Sequence, residues 1–149
     1  MRQNRKLQRR HVLIAAGGLA LSVRPASATP EAAGKLLSGI LNGRTPQEGR
    51  IRLEMPEIAE NGNTVPLTVA VESPMTEADH VDTIWILAEA NPEPAVAVFH
   101  LTPMSGRAEV ATRIRLARTQ TVIAAARTSD GTIHVARTEV KVTIGGCGG

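Results

Sequence analysis

The side chain with the most reactive chemistry in this chain of 149 residues stands almost at its end. Residues 145–149 read GGCGG, and Cys147 is the single cysteine. A thiol is useful through its thiolate, which is both nucleophile and metal ligand. The flanking residues Gly145, Gly146, Gly148 and Gly149 carry no Cβ, so they leave the backbone thin and conformationally free. Measured from Ile144, where the last strand-like pattern stops, an extended tail carries Cys147 outward by roughly 10 Å. Such a tail suits a narrow active-site channel in another protein. It supplies no positioned base, no oxyanion site and no shelter from water, so catalysis within this chain is not its task. The reference thiol pKa is about 8.5, and a free thiol at neutral pH is mostly protonated. Activation therefore falls to whichever enzyme receives the tail. The thiol reads as a handle on which a group is carried between active sites.

Other chemistry is sparse. His80, His100 and His134 are far apart in the sequence and lack metal-ligand spacing, so they read as surface or satisfied core residues. No Ser/His/Asp arrangement and no glycine-rich phosphate loop is legible, and no catalytic residue, metal or cofactor is assigned to this chain. Arg113 and Arg115 point the same way at strand spacing, with Arg118 beyond them. They either pair with acids on a partner or steer an anion, or they form a solvated face.

The elements that must position Cys147 begin with an export signal. Residues 1–28, MRQNRKLQRRHVLIAAGGLALSVRPASA, combine a basic start, a short apolar stretch and the small-x-small sequence Ala26-Ser27-Ala28. The apolar stretch falls short of the about 20 residues a bilayer span needs. The pair Arg9-Arg10 before a weakly apolar core points to the twin-arginine route, although Gln8 precedes the pair. An ordinary secretory signal with a fortuitous arginine pair is the alternative. Six of the 17 basic residues and none of the 14 acidic ones lie in this segment, so the mature chain is weakly acidic. Without a basic excess, and with Trp85 and Phe99 as its only aromatics, it offers no surface for nucleic acid. No other segment could span or anchor in a membrane.

Residues 29–144 read as one domain. EAAGKLLSGIL (31–41) predicts a short helix stopped by Asn42-Gly43. Seven short strands follow, over 51–55, 65–71, 81–89, 95–101, 108–116, 119–127 and 132–144. Asn61-Gly62-Asn63 and Ser129-Asp130-Gly131 are turn signals, and Asn91-Pro92-Glu93-Pro94 breaks two strands apart. The pattern predicts an all-β, immunoglobulin-like antiparallel β-sandwich with a short N-terminal helix and a flexible C-terminal arm over 145–149. Trp85 is expected in the core of a central strand. Three strands, IWILA (84–88), AVAVF (95–99) and VIAAA (122–126), are apolar on both faces. Either a second subunit covers one outer face, or exposed alanines need no cover.

The terminal GGCGG after VKVTI, together with IRLEMPEIAENGNTVPLTVAVESPM (51–75), TRIRLARTQTVIAAA (112–126) and the leader, resembles the SoxY family, the sulfur carrier subunits of the periplasmic thiosulfate-oxidising (Sox) system. The likeness covers essentially the whole chain. It implies an immunoglobulin-like sandwich paired with SoxZ, a second sandwich protein without its own export signal. It also implies that Cys147 is the covalent sulfur attachment point and that Gly145, Gly146, Gly148 and Gly149 form the carrier arm. In that family a haem enzyme, SoxXA, couples thiosulfate to the cysteine; a manganese-dependent hydrolase, SoxB, releases sulfate; and a molybdenum–haem dehydrogenase, SoxCD, oxidises the remaining sulfur. Metals and haem would then belong to the partners. The rival reading is a structural or interaction sandwich protein that uses the tail cysteine for an intermolecular disulfide.

Overall fold

Alternating apolar residues set the layers of this molecule. The computed structural model describes residues 30–146; the leader expected over 1–28, and Cys147, Gly148 and Gly149, lie outside them. The described residues form helix α1 (Pro30–Leu41) and strands β1 (Ile51–Glu54), β2 (Ile58–Asn61), β3 (Val65–Val71), β4 (Val81–Ala88), β5 (Ala95–His100), β6 (Ala108–Ile114), β7 (Gln120–Thr128) and β8 (Ile133–Ile144). One sheet has the order β1-β3-β6 and the other β2-β8-β7-β4-β5. The all-β, immunoglobulin-like sandwich expected from the strand spacing is the fold observed.

The main core lies between the sheets. Val65, Leu67, Val69 and Val71 of β3 are buried while the residues between them are not, as the period of two requires. They face Ile84, Ile86 and Ala88 of β4, Val122, Ala124 and Ala126 of β7, and Val140 of β8. Each large aliphatic side chain buried here contributes about 1.5–3 kcal/mol.

The outer face of the five-stranded sheet holds a second cluster. Leu87, Ile123, Ala125, Ile133 and Val135 pack there under Leu37, with Ile40, Leu41 and Trp85 at the margin. The doubly apolar strands β4 and β7 are thus covered on both faces, and on this side the cover is the chain's own helix. The cover that the sequence left open between a second subunit and none is supplied here in cis. The helix stops where expected: Asn42 and Gly43 turn left-handed, with φ of 46° and 77°. Leu37→Ala should lower the unfolding free energy by about 2–3 kcal/mol, because the helix holds the sheet through this side chain. A urea midpoint unchanged by the substitution would mean that the helix contributes little.

Three features depart from the sequence expectation. Trp85 is half-buried on the outer face rather than in the main core. The Arg127 guanidinium lies 5.5 Å from its ring centroid, and Arg127 Nε donates to Asp82 Oδ1 at 2.9 Å. Strand β2 is an addition to the seven expected. It runs parallel to the end of β8, with Ile58 opposite Lys141 and Asn61 opposite Ile144, so the sandwich is not wholly antiparallel. Only Ala59 of its four residues is buried, which leaves too weak an alternation to register in the sequence.

His134 also differs from expectation. It is 4% exposed, and its Nδ1 has no hydrogen-bond partner among the described residues. Burial pushes its pKa below the usual 6.5, the Arg50 charge pushes the same way, and Asp130 opposes them. The folded state therefore holds His134 neutral, and the unfolded chain binds the proton first as pH falls. Its contribution to stability is present above the unfolded pKa and is lost as pH drops through 6.5 towards the lowered folded value. Melting temperatures measured from pH 8 down to pH 5 should fall less steeply in His134→Leu than in the natural chain; equal slopes would rule the histidine out.

Candidate functional site

The tail that carries Cys147 begins where β8 ends, and its root is built from three backbone segments. β8 has 12 residues, the longest strand among the described residues. Its first part pairs with β7 as far as Val140, and its end pairs with β2. At that end Gly62 N–H donates to the Ile144 carbonyl at 2.8 Å. The Gly62 carbonyl in turn accepts the Leu116 N–H at 2.8 Å, and the Leu116 carbonyl accepts the Gly146 N–H at 3.0 Å. Residues 62, 116 and 144–146 are thereby tied into one node. Thr119 and Thr143 add to it: Thr119 Oγ1 accepts the Val142 N–H at 2.9 Å, and Thr143 Oγ1 donates to the Glu60 carbonyl at 2.8 Å.

Glycine is required here by contact rather than by conformation. A Cβ on Gly62 would collide with the Leu116 carbonyl oxygen and lie 2.7 Å from Gly146 N. A Cβ on Gly145 would collide with the Ala117 carbonyl oxygen, and one on Gly146 would stand 2.9 Å from the Gly62 carbonyl oxygen. All of these obstacles are backbone atoms, which cannot swing aside. Gly146 is buried, whereas Gly145 is exposed. The sequence reading gave the tail glycines one role, freedom from Gly145 onward. In the structure Gly145 and Gly146 also have packing partners.

The segment 115–118 is itself braced from below. Leu116 is fully buried and anchors it to the core. Asn91, 3% exposed, donates through Nδ2 to the Arg115 carbonyl at 2.9 Å and accepts at Oδ1 from the Ala117 N–H at 3.0 Å. Gln120 Nε2 donates to Asn91 Oδ1 at 2.9 Å and to the Arg118 carbonyl at 3.0 Å, while Gln120 Oε1 accepts the Ala90 N–H at 2.8 Å. Two buried amides thus satisfy the polar backbone of a loop that sits against the core. Sequence reasoning missed both of them, and missed Gly62. Asn91 reads as part of a strand break and Gly62 as a turn residue. The only available signal was a glutamine heading the apolar run 120–126.

The remaining candidates are scattered. Arg113 and Arg115 are both exposed and line one cleft with Val96, Ala97 and Phe99 of β5. His80 is held by the Thr76 carbonyl at 3.0 Å, and His100 Nδ1 lies 3.5 Å from Thr83 Oγ1. Among the described residues no group of three or more His, Cys, Asp or Glu lies close enough to hold a metal ion, and no helix is long and apolar enough to cross a membrane. Chemically, the node can do one thing: fix where the tail leaves the sandwich.

Comparison with known proteins agrees with the resemblance carried by the tail and body. The family model described as sulfur oxidation protein SoxY matches residues 38–147. The solved structure of the sulfur carrier protein SoxY from Chlorobium limicola f thiosulfatophilum is 39% identical, with a TM-score of 0.60, covering 75% of this chain and 99% of that one. A superoxide reductase (neelaredoxin) from Ignicoccus hospitalis superposes with a TM-score of 0.55 at 19% identity, over 63% of this chain and 80% of its own, which is a likeness of fold alone. No curated protein sequence matches significantly. With a family match over most of the sandwich and a SoxY structure this similar, the chain belongs to the SoxY family of sulfur oxidation proteins.

Proposed function

We propose that this protein is a covalent carrier of sulfur intermediates in thiosulfate oxidation, that it holds them on Cys147, and that it is not itself an enzyme. The observation that carries this reading is that the family match runs through residue 147, the one cysteine, at the tip of a glycine tail. The chemistry fits a carrier. Joining the cysteine sulfur to the terminal sulfur of thiosulfate forms a sulfur–sulfur bond and gives up an electron pair, so the acceptor must be a redox partner such as a SoxXA-like haem enzyme. Hydrolysis by a SoxB-like manganese enzyme then releases sulfate and leaves the sulfane sulfur on Cys147 for a SoxCD-like dehydrogenase. A covalent tether keeps these small species from diffusing away or reacting elsewhere.

The site of action is the periplasm, reached through the leader over 1–28, and the companion is a SoxZ-like subunit. Helix α1 leaves the β5 end of the outer sheet face open. There Val98 is 48% exposed beside half-buried Trp85, and apolar area of this kind favours a protein partner. The test is mass analysis of the exported protein after exposure to thiosulfate and the partner enzymes. Additions confined to the C-terminal peptide are expected. A chain that gains no mass, or that gains it on any other peptide, is not this carrier.

A further inference from the structure

We propose that Gly62 is a positioning residue for the carrier arm. It lets the start of the tail dock on loop 115–118, so that the arm works from a fixed base at Gly146 rather than from the end of β8. The proposal rests on the carrier reading above for its purpose, but the geometry beneath it does not.

Three observations converge. The carbonyl of Gly62 holds the Leu116 N–H, and the Leu116 carbonyl holds the Gly146 N–H, so the tail is tied to Gly62 through one shared residue. The Cα atoms at 62, 145 and 146 approach backbone so closely that a methyl group at any of the three has no room. The loop between them is no passive neighbour: it is anchored by buried Leu116 and braced by the Asn91 and Gln120 amides. Gly62 belongs to neither the tail nor the loop. It directly follows β2, the one strand among the described residues that pairs parallel to β8, and that pairing brings it alongside Ile144.

The consequence is mechanical. A tail free from Ile144 reaches its cysteine over three residues, roughly 10 Å when extended, and samples every direction open to it. A tail docked at Gly146 gives up part of that reach and most of that freedom. Entry into a partner's channel then costs less ordering entropy, because the base is already placed. Docking also separates two duties that the glycines would otherwise share. Gly145 and Gly146 are small so that the base can close, whereas slimness inside a channel concerns the residues beyond them.

The test uses the exported chain with Gly62→Ala and, separately, Gly145→Ala. The second guards against misfolding of the first, since Gly145 is exposed and follows the last strand. Amide hydrogen exchange is read at Gly146 and, as a control, at Val122 and Val140 in the core, and sulfur loading by the haem enzyme is timed in parallel. We expect Gly146 exchange to accelerate by about tenfold in both variants, the loss of roughly one hydrogen bond's protection, while the core amides stay unchanged. Loading should slow several-fold. Gly62→Ala is the decisive case, because residue 62 never enters a partner's channel and cannot act by crowding it. If Gly146 already exchanges in the natural chain as fast as an unstructured terminus, there is no dock. If exchange accelerates but loading keeps its natural rate, the dock exists and does no positioning; either result overturns the proposal. A natural chain that protects Gly146 yet never takes up sulfur would sink the carrier reading and leave the dock standing.

Discussion

Cys147→Ser should abolish sulfur loading while leaving the fold intact. A hydroxyl is nearly isosteric with a thiol, but its oxygen is too poor a nucleophile and too hard to oxidise to form the bond to thiosulfate. Nothing else in the chain can take its place, since there is no second cysteine. The effect is therefore all or none: mass analysis after exposure to thiosulfate and the haem enzyme should show the unmodified chain alone. A serine variant that still accepts sulfur would place the cargo elsewhere and end the carrier account. The natural chain, not the variant, separates this from the rival use of the tail: a disulfide-linked dimer would also vanish with the thiol, but it would involve no thiosulfate-dependent mass at any stage.

The second large effect concerns a residue remote from the cysteine in sequence. Asn91→Ala should destabilise the protein by about 3 kcal/mol, because the Ala117 N–H, the Arg115 carbonyl and one partner of Gln120 Nε2 all lose their bond in a buried setting. Leaving a buried polar group unmade costs more than the bond contributes when made, so an alanine here is worse than its small size suggests. Urea unfolding should show a lower midpoint with an unchanged slope. The loss should also reach the tail, since the loop that Asn91 braces is the one that accepts the Gly146 N–H. Gly146 exchange should accelerate in this variant too. A loss below about 1 kcal/mol would mean that the loop holds itself through Leu116 alone.

Much of this molecule is legible in the amino-acid sequence alone. Period-two alternation is a local property of a strand with one buried face, so Val65, Leu67, Val69 and Val71 declared β3 and its core face directly. The helix stop at Asn42-Gly43 and the hairpin at Ser129-Asp130-Gly131 were equally plain, because a left-handed residue and an Asx-type turn depend on neighbours in sequence. In the hairpin Gly131 has φ 85°, and Asp130 accepts from Thr128 Oγ1 and from the Thr132 N–H. Those two bonds, Thr128 first, hold its carboxyl near a pKa of about 2. The SoxY resemblance came from the tail and from runs of the body, and a family match over residues 38–147 agrees with it.

What stayed hidden was non-local. Strands 84–88 and 122–126 are apolar on both faces, which leaves open in the sequence whether anything covers the outer one; Leu37 on α1 lies far back in the chain, and only folding brings it over Ile123 and Ala125. A parallel pair between β2 and β8 joins segments more than 80 residues apart, and four residues with one buried side chain carry no pattern that foretells it. Gly62 shows the limit most sharply. In sequence a glycine between two asparagines means a turn, and nothing local distinguishes a glycine that needs a special φ from one that needs empty space beside it. The sequence by itself determined the alternating core, the helix stop, the hairpin and the presence of one thiol on a slim tail, because each is written in the types and spacing of adjacent residues. Only the tertiary structure decided that the tail starts from a node shared by Gly62, Leu116 and Gly146, because close approach between backbones is a property of the assembled layers and of no segment alone.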